Sequence, residues 1–378
     1  MNGIKVVDLF CGAGGFSQGF ENFFEIALAN DIEKDMIKTF QENHPNTLAL
    51  AEDIKKVDFL NLLKKEKLET SEIKGVIGGP PCQGFSLVGN RIIDDPRNKL
   101  FKEFVKIVFM VKPAFFLMEN VKGMLSAKNG IGEPVVEEIK KDFEDVGYKV
   151  SYSLLNALNY GVPQKRERLF FLGYKKELNL VPSFPEATHK GNGINITLAN
   201  LSAPLTVKDA ISDLPELGDS LTSTEKYTIP EQNDYQKKMR EGSNKIHNHT
   251  APNHKEYMLE RIKRVPEGGN HLDLPEEYKL KSGYPNIYGR LSWNKHADTI
   301  TANCGCVSAP GRFIHPKQHR AITVREAARL QSFKDKFVFY GSKNSQYKQA
   351  GNAVPPLLSE ALAKKIYEQI KPIYSKNL

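Results

Sequence analysis

Up to about Pro185, short apolar runs alternate with stretches whose apolar residues recur every three or four positions, and this alternation constrains the fold more than any other feature. The runs IKVVDLF, FEIALAND, GVIGG, AFFLMEN and RLFFLGY stop at acidic, polar or glycine-rich turns, as buried parallel strands do. Between such runs, EKDMIKTFQEN, LFKEFVKIVFMVK and PVVEEIKKDFEDVG carry helical spacing. Strand and helix in repetition predict a doubly wound α/β fold with a mostly parallel sheet, whose ligands sit at the C-terminal ends of the strands.

Beyond Pro185 the alternation fades into a polar stretch that holds eight of the nine histidines. We read it as a second, smaller domain. Helical pattern returns in TVREAARLQSF and in PPLLSEALAKKIYEQI, where Pro355 and Pro356 fall at or before a first turn. The expected division is residues 1–184 plus 342–378 for the larger domain and 185–341 for the smaller, including a hinge segment 320–341. Nowhere do eighteen apolar residues run together, and the opening MNGIKVVDLF lacks a secretory pattern, so a cytoplasmic chain without a membrane partner is expected. Four cysteines are then expected as thiols, and a net charge of +8 favours a polyanionic partner.

After VVDLF comes Cys11-Gly12-Ala13-Gly14-Gly15-Phe16. Glycines there let a ligand approach the backbone, and amides at a helix start favour an anionic group. Glycines at 12, 14, 15 and 19 do not match the dinucleotide fingerprint, which disfavours a nicotinamide-dependent oxidoreductase. Asp31 ends the next run, where a carboxylate can accept hydrogen bonds from ribose hydroxyls, and Asp53 before Ile54 is placed to hold an adenine amino group.

The segment Gly78-Gly79-Pro80-Pro81-Cys82-Gln83-Gly84-Phe85-Ser86 sets a thiol between a stiff Pro-Pro and a pliant Gln-Gly. A lone cysteine is ordinarily an inert core residue. Here Glu119 and Asn120 close another run at the same sheet edge, and Gln164-Lys165-Arg166-Glu167-Arg168 brings two guanidinium groups there. A pyrimidine ring is a poor electrophile until its ring nitrogen is hydrogen-bonded or protonated, so a carboxyl beside a thiolate is what its chemistry requires. Nearby arginines would lower the thiol pKa and orient the carboxylate.

With these residues the chain resembles the DNA (cytosine-5) methyltransferases of the bacterial restriction-modification type. The resemblance runs in family order through DLFCGAGGFS, GGPPCQGFS, MENV, QKRER, TVREAARLQSF and QYKQAGNAVPP. It implies the Rossmann-like sheet of S-adenosylmethionine-dependent methyltransferases, that cofactor without a metal, and double-stranded DNA as substrate. By position it makes Cys82 the nucleophile, supported by Glu119, Asn120, Arg166 and Arg168. It puts Phe10 on the adenine, Gly12, Ala13, Gly14 and Gly15 around the methionine moiety, and Asp31, Ile32, Asp53 and Ile54 around the nucleoside. Pro81, Leu100, Asn352 and Ala353 would complete the cofactor site. Asp31 stands where many relatives carry Glu, and Ile32 where an aromatic can stand.

The implied reaction adds Cys82 to carbon 6 of a cytosine rotated out of the duplex, with Glu119 at N3, before carbon 5 takes the methyl group. The loop from Gln83 to about Asn98, with Gly84 and Gly89 as flexible points, would close over that base, and Gln83, Ser86, Arg91 and Arg97 are candidate DNA contacts. Target recognition is implied in the smaller domain, with Thr299-Ile300 positioning it against DNA and Arg320 linking it to the hinge helix. Cys304 and Cys306 are too close together for a zinc knuckle pair, and His247, His249 and His254 precede them by about fifty residues, so no metal is expected. A monomer with a cognate restriction endonuclease is the expected setting. The rival readings are a tRNA cytosine-5 methyltransferase and a DNA-binding relative without activity.

Overall fold

The computed structural model describes residues 3–81, 100–191, 201–218, 221–280 and 283–374. Its main sheet consists of β1 (Lys5–Leu9), β2 (Glu25–Asp31), β3 (Leu48–Ala51), β4 (Ile73–Gly78), β5 (Phe115–Val121), β6 (Tyr148–Asn156) and β7 (Glu167–Lys175), in the order β3-β2-β1-β4-β5-β7-β6. Helices α1 (Gly15–Phe20), α2 (Lys34–Asn43), α3 (Phe59–Lys65), α4 (Leu100–Val111) and α5 (Val135–Asp145) alternate with these strands along the chain. Strand order reverses between β1 and β4, and at such a switch point the chain leaves neighbouring strands in opposite directions and opens a crevice.

One strand departs from the expected parallel set. RLFFLGY forms β7, which pairs antiparallel with both β5 and β6. Only residues 157–166 separate β6 from β7, too few for the helical crossover that a parallel return needs. In β7, a Cβ at Gly173 would lie 2.1 Å from the Phe116 ring, so the missing side chain makes room for that ring. Phe116 stacks on Phe143 of α5 with ring centroids 3.8 Å apart, inside a fully buried cluster that also takes in Phe104 and Tyr148. Each such ring contributes about 1.5–3 kcal/mol by leaving water.

The chain divides into two compact units, Met1–Asn156 with Glu167–Glu186 and Ser359–Leu378, and Ala157–Arg166 with Ala187–Leu358. These limits differ from the sequence-based division at residues 157–166 and 342–358, which group with the second unit because their hydrogen bonds run to residues of that unit. Unit 2 carries α6 (Val207–Ile211), α7 (Asp234–Arg240), α8 (Glu256–Arg264), α9 (Val324–Leu330) and α10 (Lys343–Asn352), with a short parallel pair β8 (Gly289–Arg290) and β9 (Arg312–Ile314). Its apolar core includes Ile262, Val265, Ile287, Val307 and Ile314. Helix α11 (Pro356–Tyr374) opens on Pro356, where a missing N–H costs nothing, and from Ser359 onward it belongs to unit 1. There Ser359 Oγ donates to Phe16 O at 2.6 Å and Gln369 accepts from Tyr174 Oη at 2.8 Å.

Candidate active site

The glycine loop of unit 1 forms because β1 is followed by Phe10 at φ 55° and then by Gly12 at φ 55° and Gly14 at φ 97°, the last two in left-handed turns that glycine adopts without strain. A Cβ at Gly12 would meet nothing within 4 Å, so the space over the loop is open. Gly12 N donates to Asp31 Oδ2 at 3.0 Å and Glu33 N to Asp31 Oδ1 at 2.9 Å. Burial raises the pKa of Asp31, while these two amide bonds counter the rise. Each of its carboxylate oxygens keeps a further lone pair for a ligand hydroxyl. Ile32 follows at 64% exposure, and Phe10 is half-buried.

Two residues with no sequence signal shape this end of the sheet. Asn30 Nδ2 donates to Leu50 O and Glu52 O at 3.2 and 2.9 Å, which ties the end of β2 to the exit of β3, just before half-buried Asp53 and buried Ile54. Asp53 Oδ1 accepts from Lys55 N at 3.1 Å. Beneath the loop, Asp8 Oδ2 accepts from Ser17 Oγ of α1 at 2.6 Å, and burial pushes the Asp8 pKa up to about 7. Cys11, Ala13 and Gly15 are buried, and the Cys11 thiol is driven well above its ordinary pKa, chiefly by burial.

At the ends of β4 and β5 a second group assembles. Arg168 Nε of β7 donates to Glu119 Oε1 of β5 at 2.9 Å, and Arg168 Nη1 also donates to Glu167 O at 2.8 Å. Burial lowers the Arg168 pKa and the Glu119 charge opposes that shift. A Cβ at Gly79 would lie 3.1 Å from Glu119 Oε2, so the absent side chain lets the β4 exit pass against the carboxylate. Asn120 Nδ2 donates to Pro80 O at 3.2 Å, and its Oδ1 accepts from Val121 N at 2.8 Å. It therefore anchors the chain two residues before Cys82. Pro81 is exposed, and Leu100 opens α4 half-buried. Cys82, Gln83, Ser86, Arg91 and Arg97, with Gly84 and Gly89, lie outside the described residues.

Of the two guanidinium groups in QKRER, Arg168 faces Glu119 and Arg166 is directed elsewhere. Arg166 is 1% exposed in unit 2 and donates to Ile300 O at 3.0 Å and Asn352 O at 3.3 Å. Ile300 is fully buried, so of the pair expected at DNA only Thr299 offers a side chain at the surface, and its Oγ1 donates to Lys165 O at 2.8 Å. Asn352 is exposed and Ala353 half-buried at the end of α10. His249 lies between Thr323 Oγ1 and Pro215 O, and His254 Nε2 accepts from Ala321 N. Cys304 is buried, with its thiol pushed up to about 12 by burial, and Cys306 is exposed. Among the described residues no three His, Cys, Asp or Glu side chains come together as a metal site.

A sheet in this order, with a glycine loop after its first strand and a carboxylate closing its second, is the frame of a nucleoside-binding α/β enzyme, and the family match makes it an S-adenosylmethionine-dependent methyltransferase. The chain belongs to the family of C-5 cytosine-specific DNA methylases, enzymes that transfer a methyl group from S-adenosylmethionine to cytosine in DNA, and the family model matches residues 4–368. The chain is 40% identical to the Type II methyltransferase M.DdeI of Desulfomicrobium norvegicum, over 99% of this chain and 92% of that protein. It is 39% identical to the Type II methyltransferase M1.HphI of Haemophilus parahaemolyticus, over 96% and 86%. Among solved structures, a putative DNA modification methyltransferase encoded within an E. coli prophage superposes with TM-score 0.75 at 29% identity, over 97% of this chain and 99% of that one. Spodoptera frugiperda DNMT2 shares the fold at TM-score 0.60 and 18% identity.

Proposed function

We propose that the chain methylates carbon 5 of one cytosine within a short duplex sequence, through a covalent adduct between Cys82 and carbon 6 of a base turned out of the stack. The observation that carries this reading is the Arg168–Glu119 pair at 2.9 Å, set against Gly79 at the head of the Pro80-Pro81-Cys82 segment. Arg168 fixes the rotation of the Glu119 carboxyl, which hydrogen-bonds N3 and withdraws electrons from the ring. Asn120 holds Pro80 and so aims the chain that leads to the thiol. As the Cys82 Sγ–C6 bond forms, electron density moves to carbon 5. Bound S-adenosylmethionine supplies the methyl group that carbon 5 accepts. Loss of the carbon 5 proton to a base then expels the thiolate and restores the ring double bond. Turning the base out of the stack costs roughly a few kcal/mol.

The end of β1 and β2 fits the cofactor: open space over Gly12, Asp31 with lone pairs for ribose hydroxyls, and exposed Ile32 as an apolar surface for the adenine. Asp53, Ile54, Phe10, Pro81, Leu100, Asn352 and Ala353 would complete that site. Unit 2 is the target-recognition unit in this reading. It holds 26 of the 53 Lys and Arg but 17 of the 45 Asp and Glu, a net +9 against −1 for unit 1, which suits a polyanion. The Type II relatives support a partner endonuclease of the same sequence specificity and action in the cytoplasm. Among the described residues no helix is long and apolar enough to cross a membrane.

The test is bisulfite sequencing of mixed-sequence duplex DNA after incubation with the protein and S-adenosylmethionine. Methylated cytosines should fall within one short motif, Cys82→Ala should abolish them with DNA binding intact, and Arg168→Ala should lower kcat/KM by about 10²-fold or more. Methylation of tRNA and not DNA, or activity surviving in Cys82→Ala, would overturn the reading.

A further inference from the structure

Three side chains of unit 2 are fully or almost fully buried although each is polar: Gln164 and Gln331 at 0% exposure and Arg166 at 1%. Gln164 Oε1 accepts from Ile300 N at 2.8 Å, and its Nε2 donates to Leu330 O at 3.1 Å and to Gln331 Oε1 at 2.9 Å. Gln331 Nε2 in turn donates to Ala350 O at 2.7 Å and Gly351 O at 3.3 Å. Arg166 donates to Ile300 O and Asn352 O. The peptide group of Ile300 is thus held at its N–H by Gln164 and at its C=O by Arg166. Backbone bonds add to this, with Lys165 N donating to Ala297 O at 2.8 Å and Ala297 N to Pro163 O at 3.0 Å. A Cβ at Gly351 would lie 2.1 Å from Thr301 O, so the end of α10 lies directly against the chain after Ile300.

None of the backbone groups of 299–302 lies in a strand or helix, and buried peptide groups without regular partners need side chains to satisfy them. Here the side chains do more than satisfy them. They join one segment with a surface threonine to another that ends on exposed Asn352. We propose that Gln164, Gln331 and Arg166 are positioning residues of the methyl transfer: they lock the Thr299-Ile300 and Asn352-Ala353 segments to one another and to the chain that presents Arg168 two residues later. This rests on the reading above, in which the first segment meets DNA and the second meets the cofactor. The clamp makes the placement of both substrates depend on the same three side chains.

Arg166→Lys keeps the charge but offers no planar fork to serve two carbonyl oxygens, and Gln331→Met keeps the volume but removes the donor to Ala350 O and Gly351 O. The comparison variant is Tyr148→Phe, which removes a buried hydrogen bond to Pro113 O in unit 1 and touches no residue of the clamp. Steady-state methyl transfer on duplex DNA, calorimetric binding of S-adenosylhomocysteine and fluorescence anisotropy with a duplex are measured for all four proteins. Each clamp variant should weaken both the cofactor analogue and the duplex, and kcat/KM should fall by about tenfold to a hundredfold, the range for misplacement of about 1 Å. Tyr148→Phe should lower the unfolding midpoint and leave both affinities within about twofold.

The proposal is overturned if the clamp variants lose stability but keep both affinities, or if only one of the two ligands is weakened. Should Arg166→Lys fail to fold, Gln331→Met decides alone. If the wild-type protein methylates no DNA the functional reading fails, and the two binding measurements still test the clamp.

Discussion

Asp8 shows what a single side chain does in the glycine loop. Its carboxyl is fully buried, Ser17 donates to one oxygen, and the other meets no hydrogen-bond donor among the described residues. Burial, together with the charge of Asp31, raises its pKa to about 7 against the pull of the Ser17 bond. The folded chain therefore binds a proton that the unfolded chain releases near pH 3.9. Stability from this group is greatest below that value, falls as pH rises toward 7, and is level above it, by an amount on the order of 4 kcal/mol. Asp8→Asn cannot titrate. The wild-type stability minus that of Asp8→Asn should drop between pH 5 and 7 and stay constant from pH 7.5 to 9, measured by urea unfolding across that series. Parallel curves for the two proteins would show that Asp8 is ionised throughout. Nothing in DLFCGAGG marks Asp8 as buried, because strand pattern gives alternation and not the depth of the site.

Helix α9 carries the corresponding argument for an element. TVREAARLQSF reads as a helix, and all seven residues from Val324 to Leu330 are buried, including two arginines and a glutamate. Thr323 and Glu326 form a capping box, with Thr323 N donating to Glu326 Oε2 at 2.7 Å. Arg320 meets the same carboxylate through both terminal nitrogens, at 2.8 and 2.7 Å. Burial alone would raise the Glu326 pKa, but the Arg320 charge and its hydrogen bonds hold it well below the usual range. Glu326→Gln leaves the Arg320 charge buried without compensation and should cost about 3–5 kcal/mol near pH 7. That gap should narrow as pH falls through about 4.3, where the unfolded carboxyl takes up its proton. A loss below about 1 kcal/mol in urea titrations would mean that water reaches Arg320. The helix was legible from its spacing and its cap. Its depth was not, because Arg329 is satisfied by Asp213 and Asp335, and the first of these stands 116 residues away. The strands divide in the same manner: β1, β2, β4 and β5 were plain apolar runs, whereas β6 mixes Tyr, Lys and Ser with Val and Leu at a sheet edge and gave no clear run. Within the site, Glu119 and Arg168 stood out because the chemistry calls for a carboxyl and a guanidinium beside the thiol, and Asn120 came only with the family resemblance. The destination of Arg166 was hidden, since it depends on chain 134 and 186 residues further on.

For the whole molecule, charge is the property that sequence states outright and structure redistributes. A net +8 over 378 residues is modest, but division into units puts +9 on one and −1 on the other. A polyanion that binds the basic unit releases condensed counterions, so affinity should fall linearly on logarithmic axes as salt rises. If about six to ten phosphates are contacted, the loss between 50 and 200 mM salt is about 10³–10⁵-fold. Base contacts add discrimination without adding to the slope, so a duplex containing the methylated motif and a scrambled duplex should give lines of similar gradient, separated by a roughly constant factor. Anisotropy titrations with Cys82→Ala, which cannot form the adduct, isolate this equilibrium from covalent capture. A shallow slope with high affinity would assign recognition mainly to uncharged contacts and shift weight to residues such as Thr299. A steep slope that vanishes when lysines of unit 1 are neutralised would place the DNA on the other unit and overturn the assignment of target recognition to unit 2.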